Sequence, residues 1–311
     1  MTTLLVDPNV ATNELPARRR GGLWRAVRGN RKAMVGAGLF VLFCLLAAFP
    51  HLFVPWQHGD PRDIGDIPLL HPSAAHWLGT TGLGQDVYAE LIYSTRESLI
   101  IALVAGFGAT ILSVLIGVSA AYLGGVADDV LSALTDIFLV LPTFPLIIVL
   151  ATFAGKGNLV VVIVVLVVTG WSYGARQMRA QGLSLRNRDF LTSAKVRGER
   201  RSYIIVMEML PTMSSLIVAN FLGAALYSVL TAAGLQFLGL GDPSSLSWGT
   251  MLYWAQNQGA LASGFPAWAL APGLAVAALG VSFALLNYAF DEISNPALRP
   301  IRRSRVKRAH S

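Results

Sequence analysis

Apolar residues along this chain gather in long blocks rather than alternating with polar ones, and six blocks are long enough to cross a bilayer. A helix crossing about 30 Å of hydrocarbon needs roughly 20 mostly apolar residues, because each backbone polar group must be satisfied inside the segment. The predicted spans are Ala33 to Phe53, Leu99 to Tyr122, Leu131 to Phe153, Leu159 to Tyr173 with a helical extension, Leu216 to Leu238, and Trp268 to Phe290. The fourth contains LVVVIVVLVV, a β-branched run that suggests a strand in water. In lipid a lone strand leaves its backbone unpaired, so helix is predicted here too. The first block is too long for a signal-peptide core and lacks a clear cleavage site, so it is read as a retained anchor. The expected fold class is an all-α integral membrane protein with six transmembrane helices. Its parts are a basic arm (1–32), an anchor (33–53), an outer segment (54–97), a core of five spans (98–298) with a loop at 176–211, and a basic tail (299–311).

Composition agrees with a membrane setting. Only 13% of the 311 residues are charged and 54% are hydrophobic, against about a quarter charged in soluble domains, and mean hydropathy is +0.57. The formal charge of +7 could suggest a nucleic-acid partner, but the placement of the basic residues speaks for lipid instead. Twenty-one of the 24 Lys and Arg fall in the first 32 residues, the last 13, or between Arg176 and Arg201. Basic loops stay cytoplasmic, so both termini and the 176–211 loop are expected on the cytoplasmic side of the membrane. Asp136, near the inner start of the third span, is expected as an interfacial carboxylate. Cys44 is the single cysteine and receives no role, and no metal site or catalytic set is read.

The 176–211 loop is the most informative segment, because loops of this length usually carry function. Within it, an amphipathic helix is predicted from Asp189 onward, ended by Gly198, and followed by an apolar run closing on Leu210 and Pro211. Docking into a groove needs an apolar anchor (Phe190, Leu191), small residues for close approach (Ser193, Ala194) and a basic rim (Arg188, Lys195, Arg197). Pro142 and Pro145 interrupt the third span and suggest a hinge, a pathway lining or an ordinary packed kink. Asn220, Tyr227 and Gln236 dot the fifth span, where polar groups either line a pathway or join helices. Trp248 and Trp254 have the placement of interface aromatics. The LGTTGLGQD segment is read as a tight turn, since no GxxxxGK[ST] motif and no preceding strand support a phosphate loop.

Gly198 followed by Leu210 and Pro211, twelve and thirteen residues on, resembles the coupling motif of ABC importer permeases, with Thr192, Ser193 and Ala194 where that family has Glu-Ala-Ala. HPSAAHWLGTTGLGQDVYAELIYSTRESL, notably Leu78, Gly79, Thr80, Gly84, Asp86 and Val87, resembles the entry to the second span of the oligopeptide and dipeptide permeases, C-type subunit. FLGLGDPSSLSWGTML and PGLAVAALGVSFALLNYAFDEISNPALRP resemble that family's last outer loop and last span. The resemblance implies a type I importer permease fold with a cytoplasmic coupling helix. Arg188, Asp189, Phe190, Ser193, Ala194, Lys195, Arg197 and Gly198 would then meet an ATPase subunit. It also implies a homologous second permease, two ATPase domains holding ATP and Mg, and an extracytoplasmic binding protein that delivers di- or oligopeptides, with nickel or another small solute as the alternative cargo. This chain would hold no cofactor. A secondary transporter would need ionisable groups at mid-membrane, and an intramembrane enzyme would need paired catalytic groups there; the sequence shows neither.

Overall fold

The computed structural model describes residues 30–54, 64, 66–153 and 158–294. The basic tail and nearly all of the basic arm lie outside the described residues. Within them the chain is helical: α1 (Arg31–Ala48), α2 (Pro50–Phe53), α3 (Val87–Leu123), α4 (Gly125–Val140), α5 (Thr143–Phe153), α6 (Leu159–Gly170), α7 (Ser172–Arg186), α8 (Asp189–Val196), α9 (Arg201–Tyr203), a π-helical stretch (Ile204–Met209), α10 (Leu210–Thr212), α11 (Ser214–Phe237), α12 (Trp248–Asn257) and α13 (Pro266–Ser294). The β-branched run of the fourth block is helical, as an apolar solvent demands.

Helices α1, α3, α11 and α13 are each long and apolar enough to span a membrane unbroken. Two further candidates are bent pairs, α4 with α5 at 91° and α6 with α7 at 42°. Four of the six expected spans are thus continuous helices and two are broken pairs, giving six crossings if each pair counts as one. The physical cause of the first break is local. Leu141 is extended (ψ 132°) ahead of Pro142, and a residue before proline is driven out of the α region. Pro142 and Pro145 sit just before and inside the first turn of α5, where no backbone N–H is needed. The chain therefore ends one helix and starts another. The second break falls at Trp171, which is buried against Phe138 with ring centroids 5.3 Å apart, and whose carbonyl lies 2.7 Å from the Ser113 hydroxyl.

Helix α3 is the central post. At 37 residues it is about 55 Å long, so its first turns stand beyond the hydrocarbon. It packs against α1, α6, α7 and α11, and small residues permit the close approach: a side chain at Gly106 would strike the Ala225 backbone of α11, and one at Gly117 would strike α7. Ser282 of α13 donates to the Gly36 carbonyl at 2.9 Å and so ties α13 to α1. The main apolar core gathers α1, α3, α11, α12 and α13 around Trp248, Trp268 and Phe283. A second core, around Met178, Leu191, Met209 and Met213, lies at the end of the bundle that carries α8.

At the opposite end, residues 66–86 form the compact turn expected from the glycines. Asp86 caps α3 by accepting from the Ala89 N–H (2.7 Å) and contacts His76 Nδ1 at 2.8 Å, both side chains being buried. The Thr80 hydroxyl donates to the Ile67 carbonyl and accepts from the Leu70 N–H, both at 2.8 Å. One expectation fails at this end. Trp248 is no headgroup aromatic: it is buried, its indole N–H donates to the Leu91 carbonyl (3.1 Å), and its ring meets Phe43 edge-on. Trp254 is half-buried and donates to the Pro243 carbonyl at 2.9 Å.

Candidate functional site

Three turns of chain after α7 build the first part of the site. After Arg186 the chain turns through Asn187 and Arg188 into α8, whose first turn carries Asp189, favourable against the helix dipole. Helix α8 ends in a Schellman motif: the Glu199 N–H reaches the Ala194 carbonyl (3.2 Å) and the Gly198 N–H reaches the Lys195 carbonyl (3.0 Å). Gly198 supplies the left-handed residue that this cap requires, with φ +77°. A side-chain atom added there would meet no other part of the chain within 4 Å, so the demand is conformational rather than steric.

Helix α8 has two faces. Leu191 and Ala194 are fully buried against Val118, Tyr122, Leu185 and Met209, and removing a side chain of this kind costs about 2–5 kcal/mol. Phe190, Thr192, Ser193, Val196 and Arg197 face outward, Val196 being 83% exposed. This redistributes the expected docking set. Ala194 and Leu191 serve the attachment of α8 to its own chain, because the i, i+3 stripe they form is the one that meets α3 and α7. Val196 joins the outward face, which the sequence reading missed. Its signal was present, since 190, 193 and 196 repeat every three residues. The expected basic rim is also rearranged. Arg188, Asp189, Lys195 and Arg197 are all exposed, but Lys195 Nζ sits 5.6 Å from the Tyr122 ring centroid and Arg197 pairs with Glu199 at 2.7 Å. The Glu199 carboxylate keeps the Arg197 guanidinium firmly protonated.

Beyond the cap, Ile204–Met209 is π-helical, and the Leu210 N–H bonds back five residues to the Ile205 carbonyl. Pro211 explains this change of register. It has no N–H to give and its ring crowds the carbonyl four residues back, so the widened turn lets the helix pass into α10 and α11.

The second part of the site is a cavity of about 490 Å³ between α4, α6, α7, α11 and α13. Phe138, Leu139, Thr143, Thr169, Tyr173, Gln177, Asn220, Tyr227 and Asn287 are among its walls, and none of the lining residues among those described is charged. Two of the expected pathway residues, Asn220 and Tyr227, therefore stand on it. Asn220 donates to the Thr110 hydroxyl at 3.3 Å, and Gly174 leaves it room on α7. The Tyr227 hydroxyl lies toward Thr169 and Thr231. Pro142 and Pro145 do not line the cavity; they are exposed at the α4–α5 break beside it. Gln236 is buried against Gly249 and lies away from it. Asp136 is exposed and pairs with Arg176 at 2.6 Å.

The sequence that builds these features matches known proteins. Residues 113–298, which take in the cavity helices, α8 and Pro211, match the family model described as "Binding-protein-dependent transport system inner membrane component". The chain belongs to this family. It is a multi-pass inner-membrane permease, and its relatives are of the C-type of the oligopeptide and dipeptide permeases. The oligopeptide transport system permease protein of Mycobacterium tuberculosis is 31% identical over 290 residues, which is 92% of this permease and 98% of that one. The dipeptide transport system permease protein of Bacillus subtilis is 31% identical over 73% of this chain and 71% of its own. The glutathione transport system permease protein of Pectobacterium atrosepticum is 31% identical over 89% and 90%.

Proposed function

We propose that this permease is one of two homologous membrane subunits of an ATP-driven importer for short peptides, and that its outward α8 face seats an ATPase subunit. The observation that carries this reading is the construction of α8. An eight-residue rod is anchored by Leu191 and Ala194, stopped by Gly198, and left with Phe190, Ser193 and Val196 uncovered. Rigid attachment is what mechanical transmission needs, and an uncovered apolar stripe is what helix-in-groove docking uses. Orientation follows from the basic residues: α8 and both termini on the cytoplasmic side, α12 outside.

In this reading ATP and Mg are held by two ATPase domains beneath the membrane, a binding protein delivers cargo from outside, and the pathway forms where the two permeases meet. Short peptide cargo is supported by the names of the relatives and by the uncharged polar cavity wall, which offers hydrogen bonds to amides without a fixed charge to trap a solute. Nucleotide drives access only as far as the ATPase pair binds one state of the permeases better than the other. ATP hydrolysis by the purified, reconstituted complex is expected to rise when binding protein and a short peptide are added. It should lose that response when α8 is disrupted; a response that survives without α8 would contradict the proposal.

A further inference from the structure

Helix α4 is held in an unusual way. Thr135 is its one buried residue among those described, while Val126, Val130, Ile137 and Val140 are 57–83% exposed. Apolar packing therefore does little to fix α4 to its own chain. Ion pairs to α7 do more. Arg179 grips Asp128 with both arms of its guanidinium, Nε to Oδ1 at 2.6 Å and Nη2 to Oδ2 at 2.9 Å, and Ser132 donates to the same carboxylate at 3.1 Å. Toward the α4–α5 break, Arg176 holds Asp136 at 2.6 Å.

These pairs join the two parts of the site. Helix α7 leads through two residues into α8, and Met178 and Leu185 of α7 share one apolar core with Leu191 and Ala194 of α8. Helix α4 ends in Phe138 and Leu139, which wall the cavity. A bidentate pair is directional, and its rupture leaves the part-buried Asp128 carboxylate unpaired. We infer that Asp128 and Arg179, seconded by Asp136 and Arg176, form a strut that makes α4 follow α7, so that displacement of α8 moves the Phe138–Leu139 wall of the cavity. All four are positioning residues. The inference rests on the reading of α8 as the ATPase seat.

The test uses the complete transporter with Cys44→Ala and a reporter cysteine, Leu139→Cys, in the wall. Its rate of maleimide labelling is measured without nucleotide and after vanadate trapping. With the strut intact the rate is expected to change by at least about fivefold, the lower end of ordinary coupling between sites. Asp128→Asn should abolish that change while ATP hydrolysis continues, and the exchange Asp128→Arg with Arg179→Asp should restore it. A purely structural role would not return with the exchanged charges. Should Asp128→Asn fail to reach the membrane, Arg179→Lys takes its place, keeping the charge but not the fork. A full labelling response in either variant, or an exchange no better than the single change, overturns the strut. No nucleotide response with the strut intact removes the reading of α8 on which it stands.

Discussion

Gly198→Arg is expected to leave the permease in the membrane but to cut peptide uptake by at least about tenfold, equivalent to some 1.4 kcal/mol of lost coupling. The left-handed conformation at this position costs an L-residue about 1–2 kcal/mol, and the Schellman bonds from Glu199 and Gly198 are the contacts that relax to relieve it. A Cβ at this position meets no other part of the chain within 4 Å, so the fold is expected to survive with the damage confined to the end of α8 and the surface beyond it. Two companions separate strain from bulk. Gly198→Asn tolerates the left-handed region and should retain most uptake, while Gly198→Ala carries the strain alone and should fall between. Uptake by the arginine variant equal to wild type would remove the reason for placing a partner at this turn.

The second large effect is expected on the face of α8. Phe190→Asp and Val196→Asp should each abolish binding-protein-stimulated ATP hydrolysis and release the ATPase subunits during purification, since both side chains stand uncovered on the outward stripe. A charge desolvated without a partner in a docking groove costs several kcal/mol. Both variants should insert normally, because neither side chain contributes to the core around Met178 and Met209. Leu191→Asp provides the contrast. It buries the charge inside the permease itself, so loss of folded protein is expected there rather than uncoupling.

Much of this was legible in the sequence. Block length set the apolar helices, because lipid leaves the backbone no other option, and Gly198 located the end of α8. What escaped was set by partners distant along the chain. Pro142 and Pro145 announced an interruption, but the 91° angle at which α5 leaves α4 has no counterpart in the local pattern. Trp248 resembled an interface aromatic because its acceptor, the Leu91 carbonyl, is 157 residues away. Asp128 and Arg179, 51 residues apart, gave no periodic signal at all. On α8 the sequence offered two neighbouring stripes, 190/193/196 and 191/194, and only the positions of α3 and α7 decide which is covered.

Adjacent residues on that rod give the most direct test of the account. In the assembled transporter, with Cys44 replaced by alanine, a cysteine placed at exposed Ser193 and one at buried Ala194 are compared for short-reach cross-linking to the ATPase subunit. Efficient capture from Ser193→Cys with little from Ala194→Cys is the predicted result. Equal yields from both, or none from Ser193→Cys in a complex that still hydrolyses ATP, would contradict it.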